Sequence, residues 1–298
     1  MTGIICINKD KDMTSFSVVS RLRGITGEKK AGHTGTLDPM ATGVLPVMLG
    51  GATRFLDYLP DSDKGYRASF ILGKTTDTLD ITGTVTGEYQ VNATPKDVEE
   101  ALVNFRGTIT QIPPMYSAVS VDGKRLYDLA RQGIEVERPS RQVEIKKLEL
   151  VDFHDGEYVI DVLCTKGTYI RTLIDDIGRK LGCGAVMTAL TRTLAMGFTL
   201  EDCVTLDELQ RIKDTSKNFD GVLTDIEKMF EPYSAVYVSP AQAKRFSNGG
   251  ALALERLNRQ LDDGVYRVFA RNGDFLGLGE CVSSKGELTV KRLLVRRD

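Results

Sequence analysis

YVIDVLCTKGTYIRTLIDDIGRKLGCG, residues 158–184, holds one complete architectural unit. Tyr158–Cys164 has the composition of a strand, and Lys166-Gly167 turns the chain. Ile170, Leu173, Ile174, Ile177 and Leu181 then recur at helical spacing until Gly182 stops the helix. Similar units lie on both sides. Ile4–Ile7 predicts a short strand, and Thr14 or Ser15 predicts the cap of a helix with Phe16, Val19 and Leu22 on one face. Arg67–Leu72 reads as a strand. Thr94-Pro95 opens a helix with Asp97 in its first turn, a buried stripe of Val98, Ala101, Leu102 and Phe105, and an end at Gly107. Interleaved strands and helices predict an α/β (α+β) fold with a mixed sheet. Beyond Glu231-Pro232 the texture changes. Ser239-Pro240 opens a short helix ending at Asn248-Gly249. Val265–Ala270 and Phe275–Gly279 flank Arg271-Asn272-Gly273-Asp274, a hairpin signal, and Glu287–Val295 adds a strand. This predicts a small C-terminal β module.

Length and charge bound the rest. The 298 residues, 41% hydrophobic and 27% charged, fit one large or two ordinary globular domains. No apolar run approaches the ~20 residues of a membrane span, and the N-terminus lacks the apolar run of a signal peptide, so the expected location is cytoplasmic. Five dispersed cysteines without a CxxC pair predict free thiols, and two histidines leave little for a metal site. A net charge of −2 names no partner, so a nucleic-acid binder of this composition must gather its cations on one face. Lys124, Arg125, Arg131, Arg138, Arg141, Lys146 and Lys147 crowd one segment, and Lys285, Lys291, Arg292, Arg296 and Arg297 make the tail basic.

A second stretch carries the chemistry: GHTGTLDPMATGVLPVMLGG, residues 32–51. Glycine at this density permits close backbone approach to a ligand, and Pro39 forces Asp38 into an extended conformation. Three readings compete. A phosphate cradle lacks GxxxxGK[ST] and GxGxxG. Plain turn chemistry needs only Asp38 capping a local amide. A catalytic loop would use Asp38 as a nucleophile or base. Separately, Arg171 falls in the first turn of a helix, where a cation opposes the dipole, so a carboxylate from elsewhere would fill the anion site it makes.

The segment GHTGTLDPMATGVLPV resembles the catalytic motif of the TruB-type tRNA pseudouridine-55 synthases. INKDKDMTS (7–15) is similar to the family's NKPxGxTS opening. DKGYRASFILGKTTDTLDITG (63–83), FRGTITQIPPMYSAVSVDGKRLYDLARQG (105–133) and CTKGTYIRTLIDDIGRKLGCGA (164–185) follow in the family's order. Asp10 and Asp12 depart from the family's proline and glycine. The resemblance implies a pseudouridine synthase fold, largely antiparallel with flanking helices. It divides the chain into a catalytic domain, 1–232, with an RNA-clasping segment at about 110–147, and a PUA-like β-barrel module, 233–298. It implies isomerisation of uridine-55 in the T-arm of tRNA, without cofactor or metal, by a monomer with no obligatory protein partner. It assigns Asp38 as nucleophile, Arg171 as its ion-pair partner and Tyr66 as the ring over the target base that can take a proton. His33 would help extrude the nucleotide, Tyr169 and Leu190 would line the uracil pocket, and Lys9, Asp80, Lys124 and Arg125 would bind or position RNA. A catalytically idle RNA-binding protein and an enzyme for ribosomal or guided RNA are the alternatives.

Overall fold

The computed structural model describes residues 1–117, 120–121, 124–257 and 259–294, without the side chains of 120, 121, 124, 125, 128 and 131. The side chains of Lys124, Arg125 and Arg131, and all of Arg296 and Arg297, therefore lie outside the described residues.

In the unit at 158–184, Tyr158, Ile160, Val162 and Cys164 point into the core while their neighbours are half-exposed. That strand belongs to a sheet, ten-stranded among the described residues, whose longer strands are β1 (Gly3–Lys9), β2 (Thr42–Leu49), β3 (Lys64–Leu72), β4 (Gly107–Gln111), β5 (Arg141–His154), β6 (Glu157–Cys164) and β7 (Ala185–Ala195). Their lateral order is β1-β2-β7-β3-β6-β5-β4. All these neighbours are antiparallel except β2 and β7, which pair in parallel through Thr42–Thr191 and Gly43–Arg192. The mixed, largely antiparallel sheet is the one expected.

Four helices, α1 (Ser15–Thr26), α2 (Pro95–Leu102), α3 (Ile170–Leu181) and α4 (Leu206–Thr215), share one apolar core with one face of this sheet. Thr94 caps α2 in a reciprocal box with Asp97. That helix ends at Leu102 and continues as a 3-10 turn over Val103–Phe105, so Gly107 opens β4 rather than closing the helix. In α1 the buried stripe is Ser15, Val18, Val19, Leu22 and Ile25. Phe16 is 69% exposed, contrary to expectation. Steps of three residues fall short of a 3.6-residue turn, so a stripe drawn through 16, 19 and 22 drifts off the core face.

Gly182 ends α3 in the left-handed region, at φ 74°. Gly178, inside the same helix, fills a tighter role. A β-carbon there would overlap the Ala185 nitrogen and the Gly184 carbonyl carbon. Helix α3 thus packs backbone against backbone on the entry to β7. Gly178→Ala is expected to cost about 2–3 kcal/mol, read as a lower urea midpoint.

The second sheet has β8 (Ala235–Val238), β9 (Gly264–Ala270), β10 (Phe275–Val282), β11 (Glu287–Leu293) and the short strand Leu252–Ala253, in that order. It curls into a half-barrel with helix α5 (Pro240–Ser247), which Ser239 caps. The expected hairpin joins β9 and β10, with Gly273 at φ 91°. Phe269, Phe275 and Leu278 of this sheet share a core with Ile4, Cys6, Val44, Met48, Phe55 and Phe230. The Phe55 ring lies 5.5 Å from Phe230 and 5.9 Å from Phe275. Strands β1 and β2 are consequently buried on both faces, by the helices on one side and by this module on the other. Among the described residues no helix is long and apolar enough to cross a membrane.

Candidate active site

Asp38 sits in the loop between the short strand Ala31–His33 and β2. The loop is fastened from two sides. At the start of α1, buried Ser15 accepts from the Leu37 amide at 2.8 Å and donates to the Leu37 carbonyl at 3.2 Å through the same hydroxyl. Beneath it, Lys9 donates to the carbonyls of Met13 (2.6 Å), Asp10 (2.9 Å) and Pro39 (3.1 Å). Lys9 is 1% exposed, so its ammonium ties the opening turn to the Asp38 loop. The expectation of an RNA contact at Lys9 gives way to this inward role.

Burial pulls Lys9 down to about 8 against the opposing charges of Asp10, Asp12 and Asp38. The two departures from the family pattern therefore act as counter-charges to a buried lysine. Asp12 adopts the left-handed region, at φ 65°, which aspartate tolerates better than most side chains.

Arg171 enters from the first turn of α3 and meets Asp38 with two nitrogens. Nε lies 2.9 Å from Oδ2 and Nη2 lies 3.2 Å from Oδ1. The unfavourable position on the helix dipole is thus answered by a bidentate carboxylate, as expected. The remaining donors are also fixed: Nη2 donates to the Tyr116 carbonyl at 2.8 Å and Nη1 to the Thr78 carbonyl at 2.9 Å. Asp80 stands behind, 3.7 Å from Nη1, and accepts from Thr78 and from the amide and hydroxyl of Thr82. Asp80 is buried, does not line the cleft and orients Arg171, the structural side of the role expected for it.

Tyr66, Tyr169 and Leu190 join Asp38 and Arg171 around a cleft of about 240 Å³. Tyr66 projects from β3 and Leu190 from β7. Buried Gln111 holds Tyr169 by both backbone groups, accepting its amide at 3.0 Å and donating to its carbonyl at 3.1 Å. The Arg141 guanidinium lies 5.5 Å from the Tyr169 ring centre. His33 is outside this cleft's wall, on strand 31–33, and its buried Nδ1 has no hydrogen-bond partner among the described residues. Four residues of the site were missed in the sequence reading: Lys64, Gln111, Ser117 and Arg192. Ser117 lines the cleft, and its buried hydroxyl has no hydrogen-bond partner among the described residues. Arg192 is buried and donates to the Val44 carbonyl at 2.7 Å. Its signal was a lone cation in the alternating run of β7.

Burial pushes Asp38 above the ordinary aspartate range, Arg171 pulls it back, and Asp80 adds to the rise. The guanidinium alone would depress the value, and burial reverses the direction. Burial also raises Tyr66 to about 12 and lowers His33, with Arg192 opposing the first shift and adding to the second. At neutral pH the phenol and the imidazole are both uncharged. An attacking Asp38 must be ionised, so kcat/KM is expected to rise with pH through a midpoint above 3.8, the ordinary value. A pH profile of single-turnover rates checks it.

A profile described as TruB family pseudouridylate synthase (N terminal domain) matches residues 23–170. Residues 171–231 match tRNA pseudouridylate synthase B C-terminal domain, and 234–294 match Pseudouridine synthase II TruB, C-terminal. A protein named tRNA pseudouridine synthase B from Pseudomonas fluorescens is 44% identical over 99% of this chain and 96% of its own. Its counterpart from Clostridium kluyveri is 42% identical over 94% of this chain and 95% of its own. The fold is also similar to the crystal structure of a Cbf5-Nop10-Gar1 complex, with a TM-score of 0.75 at 26% identity over 99% of this chain and 86% of that one. A fastened aspartate, its guanidinium partner and a tyrosine-walled cleft thus occur in a chain matched along nearly its whole length, and the chain belongs to the TruB family of pseudouridine synthases.

Proposed function

We propose that this protein isomerises uridine-55 in the T-arm of tRNA to pseudouridine. The bidentate Asp38–Arg171 pair at the base of a cleft walled by two tyrosines carries the reading. The names of the long-matching relatives support tRNA as the substrate class. The reaction breaks N1–C1′, turns the base and joins C5 to C1′, with loss of the C5 proton to solvent and gain of a proton at N1. It needs no net electron or phosphate transfer.

A stacked base hides its glycosidic bond, so the nucleotide leaves the stack at a cost of a few kcal/mol. The neutral His33 ring is suited to fill the vacated place. Tyr66 and Leu190 receive the uracil, and Asp38 attacks as a carboxylate, splitting one hard step into easier ones. Tyr66 enters as a neutral phenol, so it donates a hydrogen bond, and to take a proton it must first lose its own. The chain acts as a cytoplasmic monomer without an obligatory protein partner, residues 1–232 performing the chemistry and 110–147 and 233–298 holding RNA. The test is tritium release from a T-arm stem–loop labelled at uridine C5, with full-length protein and no added metal. Release is expected. Salt-sensitive binding without release would overturn the reading in favour of an idle RNA-binding protein or another RNA target.

A further inference from the structure

Lys64 opens β3 two residues before Tyr66 and stands on a partition. On one side it lines the catalytic cleft, and on the other a second hollow of about 160 Å³ that Gly35, Lys166 and Arg192 also bound. The neighbouring acids are engaged elsewhere: Asp61 pairs with Lys166, and Asp63 with Lys146. Arg192 gives its donors to the carbonyls of Val44, Gly35 and Thr36. The charged side chains acting most strongly on Lys64 are thus cations. Burial, then Arg192 and Lys166, pull it down to about 8. Gly35 keeps the space before the ammonium open, since a β-carbon there would stand 3.3 Å from Lys64 Nζ and 3.8 Å from Arg192 Nη1.

A half-buried ammonium beside Arg192 and Lys166, with no salt bridge of its own among the described residues, disfavours its own charge unless an anion arrives. We propose that Lys64 binds a phosphodiester of the nucleotide whose base enters the catalytic cleft. The inference rests on the RNA-modifying reading above and adds a contact to it. RNA supplies one anion per nucleotide, and a base seated against Tyr66 and Leu190 brings its own phosphates to the mouth of the cleft, where Lys64 stands. The ammonium acts there by binding and positioning, leaving bond chemistry to Asp38.

The test uses full-length protein in an Asp38→Asn background, so that binding is read without turnover. Lys64→Met is expected to weaken stem–loop binding about tenfold and to reduce the dependence of log Kd on log salt by about one unit. The RNA-free Lys64→Met protein should melt no lower than the parent, because the half-buried ammonium makes no ion pair that the change would break. A neutral methylphosphonate at a phosphate flanking the target should weaken binding to the protein carrying Lys64 and add nothing in Lys64→Met. Unchanged affinity and salt slope in Lys64→Met would overturn the proposal. Tritium release by the wild type on the same stem–loop is read in parallel. Failure there overturns the substrate assignment, whereas release with unaltered Lys64→Met binding overturns only the phosphate contact.

Discussion

Asp38→Asn should lower tritium release from C5-labelled T-arm RNA by on the order of 10⁴-fold or more, in line with the loss of a nucleophile elsewhere, while stem–loop affinity stays within a few-fold. The amide has the shape of the carboxylate and neither its charge nor its nucleophilicity. The rest of the site has reasons to stay in place. Arg171 still holds the Thr78 and Tyr116 carbonyls and faces Asp80, and the loop keeps its fastenings to Ser15 and Lys9. Removing a carboxylate that burial disfavours offsets part of the lost ion pair, so the melting temperature should move little. Release above a tenth of the wild-type rate would show that another group attacks.

The second large effect is structural and catalytic together. Arg171→Met should cost about 3 kcal/mol of stability, because removing a buried guanidinium leaves buried Asp80 and half-exposed Asp38 without their counter-charge. Here two carboxylates, Asp38 and Asp80, lose their shared cation, and two carbonyls lose their donor. Activity should fall by at least ~10³-fold through the misplaced nucleophile. The residual activity should need higher pH, since the guanidinium was what held Asp38 down against burial. Arg171→Lys restores the charge without the planar fork, so it should recover stability better than kcat. An unchanged denaturation midpoint in Arg171→Met would refute the argument.

The features legible in the sequence were those with local causes. The Thr94 and Ser239 caps, the Gly182 stop and the Asn272-Gly273 hairpin each depend on a few adjacent residues. Strand β2 was legible only as a loop with an apolar run. It is buried on both faces, so it lacks the alternation that marks a strand, and Pro46 interrupts it. In β5 the core-facing Val143, Ile145 and Leu148 alternate with charges only until register shifts at Ile145/Lys147 and Leu150/Asp152. There the charge density hid the strand. At the site, Asp38 and Arg171 emerged from resemblance and from an awkward cation on a helix dipole. Lys64 and Arg192 did not, because their meaning lies in which charges surround them across the fold. The direction of the Asp38 shift required knowing how deeply the loop is buried.

The wiring of Arg171 also bears on how the chain becomes active. Its partners at Asp38, Thr78 and Tyr116 lie 133, 93 and 55 residues away. Contacts of such range form slowly, since long loops must close before they are rewarded. Helix α3 and the 271–274 hairpin need only their own neighbourhoods. Far-ultraviolet signal on refolding is therefore a report on early, local order, and recovered isomerisation is a report on the last long-range closures.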